Sequence, residues 1–115
     1  MLVVDDDDSL RLLCRVNLEL EGYRVLEART VATADEVLRS DDVDVVLLDV
    51  HLGGEDGLAL VDEIRTKRPA ARVALFTGSI EVDAARREPV DAVLTKPFTL
   101  EELSGTVGRL AAATA

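Results

Sequence analysis

Short apolar runs and helix-periodic stretches alternate five times along this chain, and each apolar run ends abruptly in polar or turn residues. Few architectures accept that order. Five strands joined by helical crossovers predict a parallel sheet with helices on both faces, an α/β doubly wound domain. The strands are expected at 1–4, 23–28, 44–49, 72–77 and 91–96. The third is the most telling. Its Val45, Val46, Leu47 and Leu48 form an unbroken apolar run, the signature of a strand covered on both faces, and it leads straight into Asp49. Aspartate is a poor strand residue and costly to bury unpaired, so its place at the mouth of a buried strand needs a reason. A turn or a helix cap is one such reason, and the strand leaves that alternative open.

The intervening segments carry helix signals. Residues 9–21 begin beside acids that suit the positive end of a helix dipole and stop at Gly22. Their apolar residues (Leu10, Leu12, Leu13, Cys14, Val16, Leu18, Leu20) cover roughly two-thirds of the circumference, more than one sheet contact requires. Either the helix is deeply buried, or one stripe, Leu12-Val16-Leu20 or Leu10-Cys14-Leu18, is left for a partner. A short helix is expected at 33–39. A third carries Leu58, Val61 and Ile64 and is stopped by Pro69. A weak fourth at 80–87 is cut short before Pro89. The fifth opens with the capping box Thr99-x-x-Glu102, and Gly105 and Gly108 weaken it. With 115 residues and no linker or low-complexity tract, one domain spans 1–115 around a single core.

A net charge of −10 repels nucleic acid and anionic membrane, and it suits a basic partner or a divalent cation. Cys14 is the lone cysteine, so an intrachain disulfide is ruled out and a reducing, cytoplasmic setting is expected. No apolar run approaches the ~18 residues of a membrane span.

In an open parallel sheet, ligands bind beyond the carboxyl ends of the strands. There the first strand delivers Asp5 and Asp6, the third Asp49, the fourth Thr77 and the fifth Lys96, while the second, ending in Glu27-Ala28, offers less. If the first and third strands are neighbours, three carboxylates converge, which is costly unless a positive charge is shared among them. Mg2+ answers that need as a hard cation taking carboxylate, water and phosphate oxygens. Lys96 adds a mobile point charge and Thr77 a hydroxyl. The set suits transfer of a phosphoryl group onto a carboxylate.

The chain resembles the receiver domains of bacterial two-component response regulators. The resemblance rests on VVDDDD at 3–8, LLDVHLGGEDG at 47–57, FTGS at 76–79 and LTKPF at 94–98, four motifs in order, each at a strand end. It implies a five-stranded parallel sheet in order 2-1-3-4-5 with five helices, the fourth short in this chain. It implies Asp49 as phosphoacceptor, with Asp6 and Asp49 binding Mg2+ directly. Asp5 would assist through water, and the backbone carbonyl of His51 would complete the protein ligands, its imidazole facing solvent. Thr77 and Lys96 would contact the phosphoryl oxygens, and the Lys96–Pro97 bond would be cis. The donor would be a sensor histidine kinase or phosphotransfer protein, docking on the first helix. The chain would catalyse its own phosphorylation and slow dephosphorylation without being a dedicated enzyme, and would signal through protein contacts.

The chain also departs from the family pattern. Gly53-Gly54 stand where family members usually carry proline, which predicts a more mobile loop. Val93 stands where the switch residue of many receivers is Tyr or Phe. The short segment between Thr77 and Lys96 argues against assuming the usual phosphorylation-driven dimer. The chain is read either as a stand-alone regulator or as a receiver cut from a larger one. A degenerate, unphosphorylated receiver is a poor fit because the key residues are all present. A Mg-dependent aspartate-nucleophile phosphatase would want a second Asp where His51 stands. An FMN carrier would need a phosphate-binding first loop, which Asp5-Asp6-Asp7-Asp8 would repel.

Overall fold

In chain order the elements are β1 (Leu2–Val4), α1 (Asp8–Leu20), β2 (Leu26–Ala28), α2 (Val31–Ser40), β3 (Val45–Asp49), β4 (His51–Leu52), β5 (Glu55–Asp56), α3 (Ala59–Lys67), β6 (Arg72–Thr77), α4 (Val82–Arg86), β7 (Ala92–Thr95) and α5 (Leu100–Thr114). The structure is a computed structural model and describes residues 1–78, 82–86 and 89–114. Five strands form one parallel sheet in the order β2-β1-β3-β6-β7, the expected 2-1-3-4-5 arrangement of the major strands. The two short strands β4 and β5 pair with each other in a separate antiparallel hairpin.

Alternation along each strand sorts side chains to two faces. On one face Leu2, Val4, Val46, Leu48, Val73 and Leu75 meet Ala34 and Leu38 of α2 and Leu60, Val61 and Ile64 of α3. On the other, Val3, Val45, Leu47, Ala74 and Phe76 meet Cys14 and Leu18 of α1 and Leu103 and Val107 of α5. Every residue of β3 is buried, as its unbroken apolar run demands. Burying each such Val or Leu contributes about 1.5–3 kcal/mol. The central strand is therefore the most firmly held element, and Asp49 is its last residue.

Local chemistry fixes the helix ends. The Asp7 carboxylate accepts from the Ser9 and Leu10 amides at the start of α1. Thr99 and Glu102 form a reciprocal capping box at α5, at 3.1 and 3.0 Å. Despite Gly105 and Gly108, α5 is one continuous helix to Thr114.

Several expectations need correction. The second strand is shorter than 23–28, because the Tyr23 amide turns back to the Leu18 carbonyl and only Leu26–Ala28 pair with β1. The second helix is longer than 33–39, because Thr30 caps it through the Thr33 amide. The third begins at Ala59, one residue beyond Leu58. Of the fourth helix, expected at 80–87, Val82–Arg86 is seen, while residues 80, 81 and 87 lie outside the described residues. The loop after Asp49 closes as a hairpin. Gly53 and Gly54 take φ of +53° and +93°, the left-handed pair that a two-residue turn between right-twisted strands requires.

Candidate functional site

Strand register brings the polar residues to one edge. Val4 pairs with Leu48, so Asp5 leaves β1 level with Asp49 at the end of β3. Asp49 pairs with Phe76, which sets Thr77 one residue beyond it, and Thr77 pairs with Thr95, just before Lys96. Asp5, Asp6, Asp49, Thr77 and Lys96, singled out from sequence, thus share one end of the sheet.

Asp5 is wholly buried and Asp49 is 7% exposed, whereas Asp6 is the most exposed of the three. One oxygen from each of the three lies within 4.8 Å of the others. Two carboxylates at that separation repel by about 3–4 kcal/mol at an effective dielectric near 20. Lys96 is the counter-charge, its Nζ donating to Asp49 Oδ2 at 2.9 Å and Asp5 Oδ2 at 3.2 Å. Three negative charges against one positive leave a deficit that suits a hard divalent cation, and an all-oxygen donor set is what Mg2+ takes. The residues fit the ion.

The remaining lone pairs are directed by backbone. The His51 amide donates to Asp49 Oδ1 at 3.0 Å, and the Asp7 amide donates to Asp5 Oδ1 at 2.9 Å. Burial pushes the Asp5 carboxyl above the usual aspartate range, and the charge of Asp49 adds to this against the Asp7 amide and Lys96. Burial disfavours the charge on Lys96, but the carboxylates of Asp49 and Asp5 outweigh it and hold the ammonium above the ordinary lysine value. Thr77 is buried, and its hydroxyl donates to the Gly78 carbonyl at 3.2 Å. His51 is exposed. The Lys96–Pro97 peptide bond is cis.

Three residues matter here that the sequence reading passed over. Gly57 lies against the backbone of Asp49, where an added Cβ would stand 2.0 Å from the Asp49 carbonyl oxygen. Arg11 donates to the Asp5 carbonyl at 2.7 Å and to Glu27 at 3.2 Å. Glu27, set aside as offering little, also accepts from Arg15 at 2.7 Å. A basic residue one turn into a helix that follows four acids was the available signal for Arg11. For Glu27 it was a strand-end acid at the same sheet edge.

The family model for the response regulator receiver domain matches residues 1–107. The chain belongs to this family. Receiver domains are in general signalling modules of two-component response regulators and not dedicated enzymes. Among its relatives, the transcriptional regulatory protein GlrR of Escherichia coli is 37% identical over 106 residues, which cover 90% of this chain and 24% of GlrR. The sensor kinase CckA of Brucella abortus is 35% identical over 93% of this chain and 12% of CckA. The chain therefore spans about a quarter or less of these relatives. The receiver domain of NtrX from Brucella abortus superimposes with a TM-score of 0.88 at 31% identity, covering 95% of both chains. A CheY-like receiver domain from Methanospirillum hungatei gives 0.87 at 26% identity over 97% and 93%. In this receiver domain Val93 is half-buried against the core shared with α2 and α3. Among the described residues no helix is long and apolar enough to cross a membrane.

Proposed function

We propose that this receiver domain, taken over 1–115, accepts a phosphoryl group on Asp49 from a sensor histidine kinase or phosphotransfer protein, with Mg2+ bound. The observation that carries this reading is the Lys96 ammonium 2.9 Å from Asp49 Oδ2, beside three carboxylates whose oxygens lie within 4.8 Å. Asp6 and Asp49 would hold Mg2+ directly, with the His51 carbonyl, and Asp5 through water. When bound, the ion supplies neutralisation of charge on the phosphoryl oxygens.

The residues of the chain do the rest. An Asp49 carboxylate oxygen forms the new O–P bond while the N–P bond of the donor phosphohistidine breaks, and that electron pair returns to the imidazole. The His51 amide and Lys96 fix the carboxylate for in-line attack. Lys96 follows the charge as it moves to the phosphoryl oxygens. Thr77 donates its hydroxyl to the phosphoryl group after leaving the Gly78 carbonyl. Hydrolysis of the acyl phosphate by water resets the domain.

Leu12, Leu13, Val16 and Leu20 stand exposed on α1, Leu12 at 49% and Leu20 at 80%. This resolves the two stripes: Cys14 and Leu18 face the core, and Leu12-Val16-Leu20 is the outward one. That stripe would dock the helical donor. Output would pass through protein contacts, without direct binding of nucleic acid or membrane by this domain. Burial pushes the Cys14 thiol up to about 11, an inert thiol that suits the cytoplasm.

The test is incubation with acetyl phosphate and Mg2+, followed by intact-protein mass. Wild-type protein should gain one phosphoryl group and Asp49→Asn should not. An equal gain in both proteins, or none in the wild type, contradicts the reading.

A further inference from the structure

Asp6 contributes the most exposed carboxylate of the acid cluster, and nothing in its own side chain explains why it faces Asp5 and Asp49. Its neighbours do. On the chain-terminal side, the Asp7 amide is held by Asp5 Oδ1 at 2.9 Å, and the Asp7 side chain caps α1. On the other side, the Asp5 carbonyl, the acceptor half of the Asp5–Asp6 peptide, is held by Arg11 Nη1 at 2.7 Å. The same guanidinium reaches Glu27 of β2 through Nε at 3.2 Å and Asp8 through Nη2 at 2.6 Å. Its side chain is only 14% exposed. Glu27 is in turn braced by Arg15 at 2.7 Å. One planar group thus ties the acid loop to the edge strand on one side and to the first turn of α1 on the other, a task that suits a rigid fork and not a point charge.

We infer that Arg11, anchored by Glu27, is the positioning residue that sets the Asp5–Asp6 peptide so that the Asp6 carboxylate can share a cation with Asp5 and Asp49. The inference rests on the proposed Mg2+ site and adds to it residues that touch neither the ion nor the phosphoryl group.

The sign of one measurement separates this role from simple electrostatics. Arg11 is a positive charge near a cation site, so if charge were all it contributed, removing it would tighten Mg2+ binding. If it positions the loop, removing it weakens binding, by about tenfold on the scale of other groups that orient metal ligands. The experiment is calorimetric titration of the full chain with Mg2+ alone, comparing wild type, Arg11→Gln, Arg11→Lys and Glu27→Gln, with each variant's melting curve recorded. The positioning role predicts weaker Mg2+ binding in Arg11→Gln and also in Arg11→Lys, which keeps the charge but loses the fork. Glu27→Gln should show a smaller loss in the same direction. A role confined to fold stability would lower the melting temperature and the number of competent sites while leaving the affinity of those sites unchanged, and that result overturns the inference. Equal or tighter binding in Arg11→Gln overturns it too. No Mg2+ binding by the wild type would instead remove the underlying reading of the site.

Discussion

Replacing Gly57 by alanine should damage the site from beneath, through the backbone of Asp49, without altering any functional side chain. The added Cβ would lie 2.0 Å from the Asp49 carbonyl oxygen, 2.9 Å from that of Val50 and 3.1 Å from the Asp49 carbonyl carbon. Real Cβ contacts do not fall below 3.0 Å, so backbone must separate by at least about 1 Å. Neither side yields easily. Asp49 ends the wholly buried β3, and the Gly57 amide is bonded to the Val50 carbonyl at 2.7 Å. Forced overpacking costs about 1–3 kcal/mol. A compromised buried hydrogen bond adds about 1 kcal/mol. Urea unfolding should therefore show a loss of about 2–4 kcal/mol, and the melting temperature should drop by about 4 °C per kcal/mol. Displacing Asp49 by about 1 Å should slow labelling by acetyl phosphate by as much as ~100-fold in the protein that remains folded. An alanine variant within about 0.5 kcal/mol of wild type and labelled at the wild-type rate would refute the claim that this glycine holds Asp49 in place.

Two further predictions concern other faces of the molecule. Asp91, just before β7, accepts from the Val73 amide of β6 at 2.8 Å and from Arg65 of α3 at 3.1 Å. Burial works to raise its pKa, but the Val73 amide and the guanidinium groups of Arg65 and Arg72 hold it below the usual aspartate range. Because the folded pKa is depressed, its stabilisation is present above the unfolded value of 3.8 and is lost as pH falls through the folded one. Asp91→Asn should therefore cost about 1 kcal/mol at neutral pH, with the gap closing as the pH falls below the unfolded value and through the folded one, and a gap that does not change with pH counts against this. On α1, Leu12→Glu should leave labelling by acetyl phosphate unchanged while slowing transfer from a phosphorylated donor protein, and equal transfer rates would remove α1 as the docking face.

Much of this architecture was legible because it is written in period and punctuation. The apolar run of β3, the acids after β1 and the Lys96-Pro97 step each declare a strand end, and strand ends in a parallel sheet meet at one edge. What escaped has a common cause: it depends on partners distant in sequence or on backbone geometry. The second strand starts late because an edge strand keeps only what its single neighbour pairs with, and the register with β1 begins at Leu26. Gly53-Gly54 were read only as conformational range, and the structure uses that range for two left-handed residues that close a tight hairpin between short strands. Arg11 and Glu27 are 16 residues apart and meet only when β2 lies beside β1. Periodicity left α1 either deeply buried or with one of two stripes outward, and only the packed positions of Cys14 and Leu18 beside the exposed Leu12, Val16 and Leu20 decided it.

The central claim is that Asp49 itself becomes phosphorylated. After acetyl phosphate and Mg2+ treatment, borohydride reduction of the acyl phosphate followed by peptide mapping marks the modified carboxylate. Reduction is expected at Asp49 alone, and it should be abolished when Mg2+ is chelated beforehand. Modification at Asp5, Asp6 or another carboxylate in place of Asp49 would contradict it.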